Sequence, residues 1–322
     1  MRSGFVILSS DEADALEVAL AAALAEGFDR RLVVDNASRD QTAAVADRHG
    51  CERLALPRRV PYTEAMNAGL SALLDGPDPP ELIALLQADT FVTPGFLAAT
   101  RAVLTARPEV GSVAPKLIRT TGPAPGDQLE LLDAAGMTFD RRRKNRLVGH
   151  GRPAGSFARA GEIFGADGAA AVWRADALRD CAVEGRVFDE NMPGWGCDAD
   201  LAWRAQRFGW RAWYVPEAVV FHIRTYSPTT RAQARPEDRA TQFRNRLLMI
   251  VKNDRPAELL RDLPWLIGYE LLALGYALLV ERELLGGYRQ FAARLAEARR
   301  QRALIQARSV RAKVPFGLVP PP

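Results

Sequence analysis

Cysteine is scarce in this 322-residue chain, with three in all, at Cys51, Cys181 and Cys197. An odd count without paired spacing excludes a disulfide framework and a structural zinc site, and fits a reducing compartment. A strong excess of one charge is also missing. The formal net charge of +4 is too small to argue for a nucleic-acid partner, although the basic residues collect toward the carboxyl end. No apolar segment of secretory-signal length precedes the strand-like residues 5–8, so the expected location is the cytoplasm. One long apolar stretch exists, over 259–285, and Glu270 divides it into pieces too short to span a bilayer without burying a carboxylate. With 48% apolar residues the chain can still bury a full core, as one large α/β domain with an extension or as two domains.

What is present is a rhythm. Apolar or β-branched runs at 5–8, 32–34, 54–56, 82–86 and 110–116 read as strands. Between them, 13–26, 41–49, 62–74 and 95–107 read as helices, which is the βαβα pattern of an open sheet. Each strand ends in polar residues, and open α/β sheets bind ligands at that edge. The unbroken run at 82–86 fits a central strand covered on both faces, and it stops at Gln87-Ala88-Asp89-Thr90. Asp89 is therefore either a metal ligand or a cap for the next helix. Asp35, closing 32–34, either accepts hydrogen bonds from a nucleotide base or ribose or caps a helix in the same way.

Beyond 120 the rhythm changes. Arg141-Arg142-Arg143-Lys144-Asn145-Arg146 reads as an exposed hairpin or loop, either a clamp for an acidic ligand or a solvated basic turn. The small residues 165–171 lead into a strand and leave room for a sugar or for close packing on a helix. The densest constellation is Phe188-Asp189-Glu190, Trp195-Gly196-Cys197-Asp198-Ala199-Asp200 and Trp203-Arg204. Helical spacing of Asp200, Leu201, Arg204 and Phe208 puts Asp198 at the first turn, where a carboxylate can face a cleft as general base. Aromatic faces such as Trp195 suit a sugar acceptor. Asp200 reads as an acidic N-cap.

The segments VVDNASRD at 33–40, NAG at 67–69, LLQADTFVTPGF at 85–96, FDE at 188–190, DADLAWRAQRFGW at 198–210 and VPEAVVFH at 215–222 together resemble the family-2 glycosyltransferases. FRNRLLMIVKN at 243–253 is similar to their rhamnosyltransferase-like branch. The resemblance implies a GT-A fold, a doubly wound mixed α/β sheet with a C-terminal helical extension. Its catalytic domain would be 1–225, with a nucleotide-sugar half at 1–116 and an acceptor half at 117–225, followed by the extension at 226–322. It further implies inversion at the anomeric carbon, a divalent cation (Mg²⁺ or Mn²⁺), a nucleoside-diphosphate sugar donor, and a glycan or lipid-linked acceptor in bacterial cell-wall polysaccharide synthesis. Ser9, Asp35, Asn67, Gln87 and Asp89 would then hold the donor, Asp89 and His222 the metal, Trp195 and Asp198 the acceptor, and Asp198 would be the base.

Two positions depart from the family pattern. Gln87 stands where Asp or Asn is usual, which removes an anionic ligand. Cys197 replaces the Glu of a Glu-Asp pair, which removes a like charge beside Asp198. The competing reading is a catalytically impaired module that only binds nucleotide. The extension adds a second open choice, since 259–313 pairs an apolar helix with an arginine-rich one. It either lies on the inner membrane face or packs on the catalytic domain or in a homodimer.

Overall fold

The computed structural model describes residues 1–224 and 233–322. The expected boundary at 225/226 lies outside the described residues. Strands β1 (Ser3–Ser9), β2 (Arg30–Asp35), β3 (Glu52–Ala55) and β4 (Leu82–Gln87) run parallel, joined by helices α1 (Ala13–Ala25), α2 (Thr42–Arg48) and α3 (Tyr62–Leu74). A short β5 (Thr90–Val92), α4 (Phe96–Ala106), β6 (Val110–Thr120) and β7 (Gln128–Ala134) follow. The hairpin β8 (Met137–Phe139) and β9 (Asn145–Leu147) stands apart as its own sheet. Then come β10 (Gly161–Ile163), β11 (Ala170–Arg174), α5 (Ala175–Cys181), α6 (Cys197–Arg207) and β12 (Arg211–Ile223).

The main sheet is ordered β10-β12-β6-β11-β4-β1-β2-β3, and β11 is antiparallel to both β4 and β6. This is the mixed, doubly wound α/β sheet expected, and its two faces explain the unbroken apolar runs. Successive strand residues point to opposite faces, so Val6, Leu8, Ile83 and Leu85 join one core with α3, α5 and α6. Phe5, Ile7, Leu82, Ala84 and Leu86 join another with α1, α2 and α4. Gly165 belongs to this packing: a methyl there would meet Ala202 Cβ of α6 at 2.3 Å, so close strand-to-helix approach accounts for at least this small residue.

Three helices complete the chain: α7 (Pro236–Asn253), α8 (Pro256–Leu279) and α9 (Leu284–Arg308). Helices α7 and α9 build a third core with Phe139, Phe164 and Trp203, and the terminal segment adds Val314 and Phe316. The basic hairpin expected over 137–148 forms, with Arg141, Lys144 and Arg146 exposed, but one of its cations is corrected. Arg143 is wholly buried, with Nε on Asp254 at 2.6 Å and Nη1 on Asp262 at 2.7 Å. Its partners lie more than a hundred positions away, so no local pattern announces them. Part of the arginine-rich helix also binds the protein: Arg302 donates to the Val251 and Asp254 carbonyls, Arg308 to Ala182 and Asp180, and Arg300 pairs with Glu184, while Arg289 and Arg299 are exposed. Helix α8 is different, for most of its apolar residues are open to solvent.

Candidate active site

The carboxyl ends of β1, β2 and β4 open onto a cleft of about 300 Å³ lined by Ser10, Glu12, Asn36, Arg59, Tyr62 and Gln87. Ser9 closes β1, with its buried hydroxyl on Thr42 Oγ1 at 3.1 Å. Asp35 closes the neighbouring strand and stands in register with Ser9. Its Oδ1 accepts from Ser38 N at 2.9 Å and its Oδ2 faces Arg53 at 3.4 Å, so the carboxylate shapes the loop that carries Asn36 into the cleft. It is not a helix cap, because α2 begins only at Thr42. Asn67 is tied elsewhere: its amide exchanges bonds of 2.9 Å with Phe188 N and O and reaches Glu190 at 3.0 Å. That amide holds the 188–190 loop onto α3, and both of its donor hydrogens are used.

Sheet register brings the next pair together. Strand β5 pairs antiparallel with β12, setting His222 opposite Thr90 and so beside Asp89. His222 Nε2 lies 3.7 Å from Asp89 Oδ2. Its Nδ1 bonds Asp133 Oδ2 at 2.8 Å, which fixes the ring and leaves Nε2 turned to Asp89. Asp133 is fully buried; burial alone would raise its pKa, but hydrogen bonds from His150 and His222 and the charge of Arg224 hold it far below the carboxylate range. Asp89 is shifted the other way, upward, by its burial, against the opposing pull of His222. Its Oδ1 is shielded from solvent and has no hydrogen-bond partner among the described residues. A buried anionic oxygen without a donor, next to a histidine held in one tautomer, fits a divalent cation. Among the described residues no group of three His, Cys, Asp or Glu converges on one point, so a cation there would draw further oxygens from its ligand or water.

Asp198 sits in the first turn of α6, half-buried. Its Oδ2 accepts from Gly168 N at 3.0 Å and its Oδ1 from Ala199 N at 2.8 Å. Burial and the nearby Asp167 push its pKa up to about 6, against those two amides. Gly168 is where the small-residue segment serves the site, because a methyl there would lie 3.1 Å from Asp198 Oδ2. Its carbonyl accepts from Gln87 Nε2 at 3.0 Å, so Gln87 ties the end of β4 to the residue that supports Asp198. Trp195 precedes the same helix and is anchored through its carbonyl by Asn245 of α7 at 2.7 Å. Cys197 is buried, and burial lifts its thiol well above the ordinary value.

Asp200 is corrected. It does not cap α6; it is fully buried on Lys252 Nζ at 2.9 Å and Asn253 Nδ2 at 2.7 Å. Sequence reasoning passed over Asp133, Asp167 and Arg224, although Arg224 bridges the two acids, with Nη2 2.8 Å from Asp133 Oδ2 and 3.4 Å from Asp167 Oδ2. The available signal was a lone carboxylate inside Leu131-Leu132-Asp133-Ala134-Ala135, where an apolar strand has no reason to carry one. A larger cavity, about 610 Å³, lies between the 183–191 loop and α9 and contains none of the expected site residues.

Comparison with solved structures gives the same architecture. The chain is similar to S. aureus TarS 1-349 in complex with UDP-GlcNAc, at 15% identity and a TM-score of 0.58, over 92% of this chain and 80% of that one. It is similar to the mannosyltransferase PcManGT from Pyrobaculum calidifontis in complex with GDP-Man and Mn²⁺, at 16% identity and a TM-score of 0.51, over 95% and 85% of the two chains. With GalNAc-T7 bound to UDP, GalNAc and Mn²⁺ it shares 12% identity and a TM-score of 0.58, and spans about half (48%) of that longer chain. At these identities the likeness is one of fold. No curated protein matches the sequence. Residues 5–180, more than half of the chain, match the family described as Glycosyl transferase family 2, and to that family this chain belongs.

Proposed function

We propose that this chain is an inverting, metal-dependent transferase that moves a sugar from a nucleoside diphosphate to a hydroxyl of a bacterial surface glycan or its lipid-linked precursor. The observation that carries the reading is Asp198: a half-buried carboxylate at the start of a helix, with a pKa lifted to about 6 and backbone amides holding both oxygens. A base near that value is largely ionised at neutral pH yet basic enough to take a proton as an acceptor oxygen attacks. In the step, the acceptor oxygen bonds to the anomeric carbon, the bond from that carbon to the diphosphate oxygen breaks, and the hydroxyl proton passes to Asp198. One base and one displacement give inversion.

The donor would enter over the cleft at the ends of β1, β2 and β4, with Gln87 in its lining, Ser9 and Asp35 at the strand ends that carry Ser10 and Asn36 into it, and Asn67 holding the 188–190 loop. Asp89 and His222 would hold a divalent cation, which offsets charge on the departing diphosphate. Asp133 keeps the His222 ring oriented for that role. The solved structures that support a metal and a nucleotide-sugar here are those with UDP or GDP-Man and Mn²⁺. The resemblance at 243–253 supports rhamnose carried on thymidine diphosphate, with a furanose on uridine diphosphate as the near alternative. Because Trp195 hangs from Asn245 in that same segment, α7 belongs to the acceptor side.

A donor panel tests the reading: thymidine-, uridine- and guanosine-diphosphate sugars, each with Mg²⁺ or Mn²⁺, scored for metal-dependent diphosphate release. Release from at least one donor is expected. Binding without release from any donor would make the chain a nucleotide-binding module.

A further inference from the structure

Helix α8 keeps only a narrow stripe on the protein. Glu258, Asp262, Leu266 and Ala277 are buried, and Glu270 reaches Arg246 of α7 at 2.5 Å. At about 100° per residue these positions share one side of the helix. The remaining arc is apolar and open: Leu271 is 65% exposed, Leu272 76% and Leu279 85%, with Leu260, Trp265 and Ile267 open beside them. A stripe of about 100° suffices to seat a helix on one neighbour, and this arc covers more than half the circumference. Acyl chains can cover such an arc whole, whereas a second helix would leave much of it wet.

The charges favour the same partner. Glu258 and Asp262 are buried against Arg207 and Arg143, and Glu270 is paired, so α8 shows its open side no free carboxylate. Cations edge the arc instead. The β8–β9 turn lays Arg141 over the Trp265 ring at 3.8 Å and Arg142 toward Tyr269 at 5.6 Å. Arg261, on α8 itself, and Arg141 are exposed too, each with one side on the buried Asp262. Apolar side chains bordered by aromatic rings and arginines match the acyl, interfacial and phosphate levels of an anionic leaflet. Spanning is disfavoured because the polar stripe is tied to Arg143, Arg207 and Arg246 of the folded body.

We propose that α8 docks this transferase in the plane of an anionic lipid surface, its apolar arc in the acyl boundary and Arg141 and Arg261 against phosphates. The basic helix α9 is not the main contact, since Arg300 and Arg308 bond the catalytic domain and Arg302 the end of α7, which leaves Arg289 and Arg299 exposed. Helix α7 links the surface to the acceptor side through adjacent residues, Asn245 on Trp195 and Arg246 on Glu270.

Cosedimentation of the full chain with vesicles of phosphatidylcholine, with and without phosphatidylglycerol, tests the proposal without any sugar transfer, so failure of the catalytic reading leaves it standing. Binding to the anionic vesicles that weakens with salt is expected. The combined L271Q, L272Q and L279Q variant should bind on the order of tenfold or more weakly and R261Q about fivefold more weakly, whereas R261K, which keeps the charge, should bind like the parent. The three leucines are exposed, so their variant should keep melting temperature and donor-nucleotide affinity, whereas Arg261 also bonds the buried Asp262 and R261Q is therefore read against R261K. Two outcomes overturn the proposal: vesicle binding indifferent to the leucine variant, or no vesicle binding. A dimer in sedimentation velocity that the leucine variant dissolves would then assign the arc to a second copy.

Discussion

The backbone amide of Gly168 donates to Asp198 Oδ2 at 3.0 Å, and no methyl fits at Gly168 without meeting that oxygen at 3.1 Å. The loop before β11 and the first turn of α6 are thus fitted to each other at the residue proposed as base. Gly168→Ala should push the carboxylate by a few tenths of an ångström. A loss of kcat of about tenfold or more is expected from such a displacement, with donor-nucleotide affinity within a few fold of the parent. Steady-state kinetics beside nucleotide titration checks it, and unchanged kcat would detach Gly168 from the base.

Asp198→Asn removes the proton acceptor. Transfer should fall by about 10²–10⁴-fold while nucleotide binding stays near normal. The parent enzyme's rate should fall with pH below about 6, because the base form is lost as Asp198 takes up its proton. The stability effect has the opposite sense. A carboxyl whose folded pKa is raised stabilises only below its unfolded value near 4 and loses that contribution as pH rises through 6. At pH 8 the Asn variant should therefore melt no lower than the parent, and transfer surviving within a few fold would remove Asp198 as base.

Asp133 touches His222 and Arg224 but does not reach Asp89 within hydrogen-bond distance, which makes it a positioning residue. Asp133→Asn frees the ring to turn and withdraws charge from Arg224. Weakening of Mn²⁺ binding by about 10–100-fold is expected in calorimetry with nucleoside diphosphate present. Asp89→Ala should abolish the same signal. Equal Mn²⁺ affinity in the parent and both variants would place the cation elsewhere.

The sheet was legible because its strands are buried on both faces, and a run such as Leu82–Leu86 ending at Gln87 marks both strand and binding edge. The helix at Asp198 was legible from spacing alone. The pairing of Asp89 with His222 came from the resemblance and not from any pattern, because the two meet through β5, three residues long, on β12, and a strand that short has no periodicity to read. Arg143 escaped for a related reason: a run of cations looks solvated unless one knows that Asp254 and Asp262 arrive from a distant helix junction. Asp200 looked like a cap because its partner Lys252 belongs to α7.

That junction gives the last prediction. Arg143 is fully buried between Asp254 and Asp262, with its remaining donors on the Arg141 and Glu258 carbonyls. Removing the cation leaves two buried carboxylates facing each other's charge without their shared partner. Arg143→Met should therefore cost about 3–5 kcal/mol, while Arg146→Met, at an exposed position of the same run, should change stability by no more than about 0.5 kcal/mol. The acid limb carries a further signature. Burial would raise Asp262, but hydrogen bonds from Arg261, Arg143 and Arg141 hold it well below the carboxylate range. A depressed pKa gives stability that is present above the unfolded value near 4 and is lost as pH falls through the folded one. Asp254 is shifted upward by burial and acts in the opposite sense, so the net acid slope belongs to Asp262 only if Arg143 is in place. Denaturant melts between pH 3 and 7 should show the parent losing more stability on acidification than Arg143→Met does. Equal slopes, or a methionine variant as stable as the parent at pH 7, would mean that the cluster is compensated by packing and that Arg143 does not fasten α8 to the catalytic domain.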